Sequence, residues 1–334
     1  MADRILKVGV HGILFGFVVW VLAIGVTLGA GPVIETLISG LLVGVLYSLI
    51  ALGVVLIFKA SGVFNYAQGS MVLFAALSVA RLSEMMPLWA AVLISAGIMV
   101  ALAYVIEFVV LRRLVNQEQI ILFMATIGIT YFLDGFGQTI WGSDIYKIDL
   151  GIPKQPMFIL DGIFPGGLLI DRGDVIAGVV CALLVVALAL FFQYTRVGRA
   201  LRAVADDHQA AQSVGIPLNT IWLLVWTVGG LVVLVAGILW GNRLGVQFSL
   251  SLIALKALPV LILGGFTSIP GAIVGGLIIG AGEKLAEVVI GPTLVKALDL
   301  AGGGIENWFA YVLALLFLLI KPQGLFGDKI IERV

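Results

Sequence analysis

Long stretches of this chain are apolar on every face, and short polar or glycine-rich segments separate them. A helix that crosses the hydrocarbon core needs about 20 mostly apolar residues. A membrane strand would instead show about ten residues of alternating character. The unbroken runs therefore predict helices at residues 13–28, 34–57, 69–82, 88–111, 120–141, 175–192, 220–240, 250–263, 272–290 and 308–320. Two of these, 69–82 and 250–263, are short, and each adjoins a glycine-rich break. The expected fold is an all-α polytopic membrane protein of about 8–10 transmembrane helices, some broken or re-entrant, forming a single membrane domain over residues 1–334.

Composition narrows the class further. Hydrophobic residues make up 61% of the chain and charged residues 11%, where a soluble domain carries about 25% charged. That excludes a cytosolic enzyme, a disordered protein and a secreted disulfide scaffold. Net charge is zero, so nothing points to nucleic acid. The single cysteine, Cys181, permits no internal disulfide and reads as inert packing within its apolar run. Arg4 and Lys7 precede the first run as they would in a signal peptide. The run is long for a signal core, however, and Leu28 stands where cleavage wants a small residue, so it reads as an uncleaved helix.

Lys and Arg gather on the cytoplasmic side of membrane proteins. With the amino terminus inside, the inner segments hold Arg4, Lys7, Lys59, Arg112, Arg113, Arg196, Arg199, Arg202, Lys321, Lys329 and Arg333. The outer ones hold Arg81, Lys147, Lys154, Arg172, Arg243, Lys284 and Lys296. The imbalance, eleven against seven, places both termini inside.

Two connections are long. Residues 142–173, placed outside, are punctuated by Pro153, Pro156 and Pro165 and by several glycines. With the apolar piece Met157-Phe158-Ile159-Leu160, they suggest a small hairpin. It reads either as a dock for an extracytoplasmic partner or as a lid without one. Residues 193–219, placed inside, bring Ala200, Leu201, Val204, Ala211 and Val214 near helical spacing, with Arg and Asp on other faces. Gly215 and Pro217 end this helical pair. A lipid-anchored helix wants a bulky apolar face. This one is mostly alanine and better suits contact with a protein.

The breaks are Lys59-Ala60-Ser61-Gly62-Val63-Phe64-Asn65-Tyr66-Ala67-Gln68-Gly69-Ser70 and Gly264-Gly265-Phe266-Thr267-Ser268-Ile269-Pro270-Gly271. One falls in each half of the chain, as in transporters built from two repeats. They read equally as cytoplasmic turns or as interruptions at membrane depth. Irregular backbone at that depth must line protein or a wet path, and Asn65, Gln68, Thr267 and Ser268 would then lie nearest the translocation path. Ionisable residues within runs are few. Glu107 is within about a turn and a half of Arg112 and Arg113, and Lys256 and Glu283 are near predicted ends, so reaching to the interface covers all three; Asp134 with Gln138 is the best buried polar pair and reads equally as a helix–helix contact. No HExxH, GxSxG or phosphate-cradling GxxxxGKS occurs. No catalytic residue, metal site or energy source is therefore expected in the chain.

The run Gly40 to Gly53, the segment Gly62-Val63-Phe64-Asn65-Tyr66-Ala67-Gln68-Gly69, the cytoplasmic Gly198-Arg199-Ala200-Leu201-Arg202-Ala203, the run Leu261 to Ala272 and the closing Lys321-Pro322-Gln323-Gly324-Leu325-Phe326-Gly327 together resemble the permeases of branched-chain amino acid ABC transporters. The resemblance implies an importer subunit of the bacterial inner (plasma) membrane, embedded in lipid, that binds no cofactor itself. ATP and Mg would belong to two cytoplasmic ATPase subunits. A second homologous permease and a periplasmic substrate-binding protein would complete the assembly. The 193–219 segment would couple to an ATPase through Arg199, Arg202, Asp206, Asp207, Gln209, Ala210, Ala211 and Gly215. ABC importers carry Glu-Ala-Ala followed three residues later by Gly in this place. Here the spacing holds, but Gln209 replaces the glutamate. The implied cargo is a branched-chain or other hydrophobic amino acid. Relatives that carry urea, short amides or aromatic acids supply the alternative, and a stand-alone channel or ion-coupled carrier is the rival of another class.

Overall fold

The computed structural model describes residues 29–114, 117–153, 155–164, 167–299 and 304–327. The expected first span, 13–28, with Arg4 and Lys7 before it, lies outside the described residues, as do Lys154, Pro165, Lys329 and Arg333. Among the described residues five helices are long and apolar enough to cross a membrane: Gly31–Ser61, Leu88–Arg113, Gln119–Trp141, Arg172–Tyr194 and Leu218–Leu244. A sixth candidate is a broken pair, Phe248–Gly264 and Ile269–Ile290, bent by 115°. The chain is a polytopic, mostly α membrane protein.

The elements follow the apolar runs closely. They are α1 (Ala30–Ser61), α2 (Gln68–Ser83), α3 (Leu88–Val105), α4 (Gln119–Trp141), α5 (Arg172–Tyr194), α6 (Arg196–Asp206), α7 (His208–Ser213), α8 (Leu218–Leu244), α9 (Ile253–Gly264), α10 (Ile269–Leu285), α11 (Gly291–Leu298) and α12 (Ile305–Ile320). Strands β1 (Pro156–Ile159) and β2 (Leu168–Asp171) form the expected hairpin. Two π-helical turns, Ile106–Val110 and Ala286–Ile290, continue α3 and α10. They are wider turns of the kind that re-aim side chains, and the apolar pattern gives no hint of them.

The chain divides into two compact units. One runs from Leu49–Ile152 and Cys181–Leu258. Its centre is α2, buried without interruption from Gln68 to Ala80 and packed by α3, α4, α8 and the 3-10 turn Phe248–Leu252. A helix enclosed by protein need not match the bilayer thickness, which explains its 16-residue length. Small residues set the approach: a Cβ at Gly237 would stand 2.8 Å from the Val72 carbonyl oxygen. Trp222 Nε1 donates to the Ala60 carbonyl at 3.1 Å and fixes α8 against the end of α1. Residues after α4 are pinned by paired backbone bonds between Tyr146 and Val246.

The other unit takes the chain up to Ser48, Pro153–Val180 and the chain from Pro259. Its seam is the contact of α1 with α10. A Cβ at Gly44 would lie 2.6 Å from the Gly276 carbonyl, and one at Gly280 would lie 2.4 Å from Gly44 Cα. Nothing larger than glycine fits, which is how small residues let membrane helices touch backbone to backbone. The hairpin joins this unit: Leu169 N–H donates to Glu35 Oε2 at 2.9 Å, and Leu168 and Ile170 turn inward while Leu169 faces out.

Candidate functional site: two breaks and a surface corner

The first break leaves α1 at Ser61, where Gly62 adopts a φ of +70°, and re-enters at Gln68. Asn65 and Gln68 are each 1% exposed, so this turn is interior to its unit. Asn65 Oδ1 accepts from Ala67 N–H at 3.1 Å, and Asn65 Nδ2 donates to Gln68 Oε1 at 3.0 Å. The Tyr66 amide donates to Thr126 Oγ1 of α4 at 3.2 Å. Gln68 Nε2 has no hydrogen-bond partner among the described residues and lies where a Cβ on Gly53 would be, 2.5 Å away. The absent side chain at Gly53 is what makes room for that amide.

The second break is closed by the chain's own end. Ser268 Oγ accepts from Gly271 N–H at 3.1 Å and caps α10, with Pro270 in its first turn. Serine before proline is a strong helix start, so this hydroxyl serves the backbone. Thr267 is half-buried in the same turn. The carbonyls left open at the end of α9 are taken by the closing motif. Leu325 N–H donates to Leu263 O at 2.7 Å and Phe326 N–H to Gly264 O at 3.1 Å. Lys321 Nζ donates to Leu325 O at 2.8 Å. Gly265 and Gly324 meet at van der Waals limits: a Cβ on Gly324, φ +79°, would stand 2.6 Å from Gly265 N. Two motifs some sixty residues apart in sequence are therefore one structural joint.

The surface corner lies between α5 and α8. Thr195 caps α6 by accepting from Gly198 N–H at 3.2 Å. Gly198 passes so near the Phe192 carbonyl that any Cβ would overlap it, 1.8 Å away. Arg202 donates to Phe192 O at 2.6 Å and Gln193 O at 3.2 Å, and Arg199 to Tyr194 O at 3.3 Å. These cations satisfy the open carboxyl end of α5, where positive charge is favoured. Asp207 Oδ1 accepts from Ala210 N–H at 3.0 Å and starts α7. Gly215, φ +87°, ends α7 in a Schellman turn, with Ile216 N–H on Ala211 O and Gly215 N–H on Gln212 O, both at 3.0 Å.

The apolar stripe of this corner is used within the chain. Leu201, Val204 and Ala211 are 1%, 0% and 2% exposed. What faces out is Asp206, Asp207, Ala210, Gly215 and Val214, the last 75% exposed. The two alanines thus differ: Ala210 is presented and Ala211 is turned inward. Gln209 belongs to α7, with its side chain outside the description. Beside the Schellman turn lies a shallow groove of about 400 Å³ between Gln212 and Asn219.

The intramembrane charges also resolve. Glu107 is fully buried and receives Arg112 through two bonds of 3.2 Å. Glu107 and Glu283 were both expected to reach the interface, and both are buried instead. Glu283 is 4% exposed, with Tyr47 Oη donating to it at 3.2 Å, because α1 lies against that face of α10. The expected buried pair is not enclosed: Asp134 is half-buried and Gln138 is exposed.

Broken membrane helices and a capped corner between spans define a polytopic transport-type membrane protein. The chain belongs to the family described as branched-chain amino acid transport system / permease component, whose model matches residues 36–321. It is 30% identical over 313 residues to the high-affinity branched-chain amino acid transport system permease protein BraD of Pseudomonas aeruginosa, covering 90% of this chain and 98% of that one. It is 28% identical over 316 residues to LivH of Escherichia coli, a permease protein of the same description, covering 90% and 97%. The solved structure of PsaBC from Streptococcus pneumoniae in complex with Fab aligns over 85% of this chain and 91% of that one, with 17% identity and a TM-score of 0.43.

Proposed function

We propose that this chain is the membrane permease subunit of an ATP-driven importer, carrying branched-chain or other hydrophobic amino acids across the bacterial inner membrane. In this reading both termini are cytoplasmic, residues 142–173 are periplasmic and residues 193–219 meet an ATPase. ATP and Mg are bound and spent on two separate ATPase subunits, and a second homologous permease and a periplasmic binding protein complete the machine. The observation that carries the reading is the corner of α6 and α7. It buries its own apolar side and caps its own helix ends, yet leaves Ala210, Val214 and the groove beside Gly215 as a built surface that none of the other described residues covers. An alternation between inward- and outward-facing states requires the ATPases to favour one of them, and a rigid, fully capped corner can transmit such a preference.

Copurification of the tagged chain in mild detergent tests the assembly, and uptake by the recovered complex in liposomes tests the cargo. The expected result is ATP-dependent leucine uptake that needs the copurifying subunits. Uptake by the lone chain would make it a self-sufficient channel or carrier. Uptake of urea or aromatic acids in place of leucine would move the cargo within the family.

A further inference from the structure

The hairpin of β1 and β2 has two unlike faces, because side chains alternate along a strand. Leu168 and Ile170 are buried, while Phe158 and Leu169 are exposed. Phe158 and Leu169 are register partners and stand together on the outer face. The turn between the strands adds to them. Ile163 and Phe164 N–H both donate to Leu160 O, at 2.9 and 3.0 Å. This turn presents Ile163, 70% exposed, and holds the exposed Leu160 at a φ of +59°, which leucine seldom adopts. Backbone geometry thus fixes four bulky apolar side chains outward, and none of the other described residues covers them. An exposed apolar patch marks contact with protein or with membrane.

Height decides between the two. The inner face lies on the flank of α1: a Cβ on Gly31 would meet Phe164 Cδ1 at 3.8 Å and Leu168 Cδ2 at 3.9 Å. Leu169 N–H reaches Glu35, which is about 7.5 Å along α1 from its first residue. The hairpin therefore lies beside the first turns of a span instead of standing above it, and its outer face looks sideways, away from α1. β2 also runs straight into α5, whose start is capped by Asp171 Oδ1 accepting from Gly173 N–H at 2.6 Å. The 23 residues of α5 span about 35 Å, little more than the ~30 Å of hydrocarbon, so its start sits at the outer boundary. A Cβ on Gly178 would meet Leu42 Cδ2 of α1 at 2.5 Å. α5 turns that side to α1 and leaves Ile176, Val179 and Val180 exposed to lipid. Apolar surface thus runs on from the hairpin into the bilayer.

We propose that the outer face of the hairpin is a lipid anchor, inserted in the outer leaflet with Phe158, Leu160, Ile163 and Leu169 at the boundary of headgroups and acyl chains. The proposal rests on the topology of the importer reading, which puts residues 142–173 outside. Such insertion scales with the apolar area buried. The exposed charges beside the patch, Asp161, Asp171 and Arg172, carry no positive excess. Neutral phosphatidylcholine therefore serves as well as anionic lipid, which attracts basic clusters. The anchor holds the first turns of α1 and the start of α5 at one depth.

The test uses the full chain, with its copurifying subunits, in phosphatidylcholine nanodiscs. In a Cys181→Ala background a single nitroxide is attached through Phe158→Cys, Ile163→Cys or Leu169→Cys, and through Asp149→Cys as the exposed polar control. Oxygen concentrates in lipid, and a polar nickel chelate stays in water. The three hairpin labels should collide with the chelate about tenfold less than the control, and with oxygen more often. A phosphatidylcholine with a diazirine near the top of its acyl chain should also label the wild-type chain within residues 156–171, which needs no variant. Chelate collisions equal to those of the control, or no diazirine label on that segment, would overturn the anchor. Shielding from both reagents would overturn it too, because protein would then cover the face: the chain's own first residues, or the binding protein if shielding needs its addition. These results leave the importer standing. Reaction of Asp149→Cys with an impermeant maleimide only after spheroplasts are lysed would instead overturn the outward placement of residues 142–173, and the outer-leaflet anchor with it.

Discussion

Gly324→Ala is the substitution that most directly questions the joint between the second break and the closing motif. Gly324 has a φ of +79°, and its new Cβ would fall 2.6 Å from Gly265 N and 2.8 Å from Gly265 Cα. The left-handed backbone alone costs an alanine about 1–2 kcal/mol. The overlap is with backbone, so the segment itself must lift away, and Leu325 and Phe326 then leave the Leu263 and Gly264 carbonyls open. Each buried acceptor so stranded costs about 1–3 kcal/mol. The expected loss is about 3–8 kcal/mol, comparable with the whole stability of many folded domains. Gly215→Ala is the control. It carries a similar φ of +87° with nothing within 4 Å of the new methyl, so it should lose only the backbone portion of about 1–2 kcal/mol. Denaturant titration of each purified variant in detergent, followed by tryptophan fluorescence, measures both. Equal midpoints for the two variants would refute the claim that residues 324–326 close the broken helix.

Three more outcomes follow from the same geometry. Ala210→Glu should leave the unfolding midpoint near wild type and reduce ATP-driven uptake, whereas Ala211→Glu buries an unpaired charge and should lose about 3–5 kcal/mol of stability; denaturation and liposome uptake on the two variants separate the surfaces. Arg112→Met strands Glu107 and should cost about 3 kcal/mol, most of it recovered in the double variant with Glu107→Gln, as read by the same titration. Tyr47→Phe removes the donor to Glu283 and should cost about 1–3 kcal/mol with little change in expression level, measured by fluorescence-detected size exclusion.

The helices were legible because apolar runs bounded by glycine or charge leave few other structures open in lipid. Most boundaries lie within about four residues of the runs. The Gly215 stop was also a local signal, readable from its neighbours in sequence, whereas the Ser268 cap was not read from the sequence, which placed that serine only near the translocation path. What sequence could not supply was direction. Ala210 and Ala211 are adjacent alanines, and only the packing of α7 decides which is outward. The second break and the closing motif were both recognisable, but their union depends on backbone hydrogen bonds across sixty residues, for which no periodicity exists. The π turn that carries Glu107 toward Arg112 leaves the apolar pattern unchanged, so it too was silent.

Where Gly44 meets Gly276 and Gly280, no side chain is available to swing aside. Ordinary helix joints yield by exchanging rotamers; a bare-backbone joint has a single register, and sliding it by one position would drive a leucine or isoleucine into a carbonyl. The first half of α1 and α10 therefore behave as one strut. Whatever rocking accompanies a working cycle must be absorbed at other points of the chain, and a crosslink across this seam should cost the protein none of its motion.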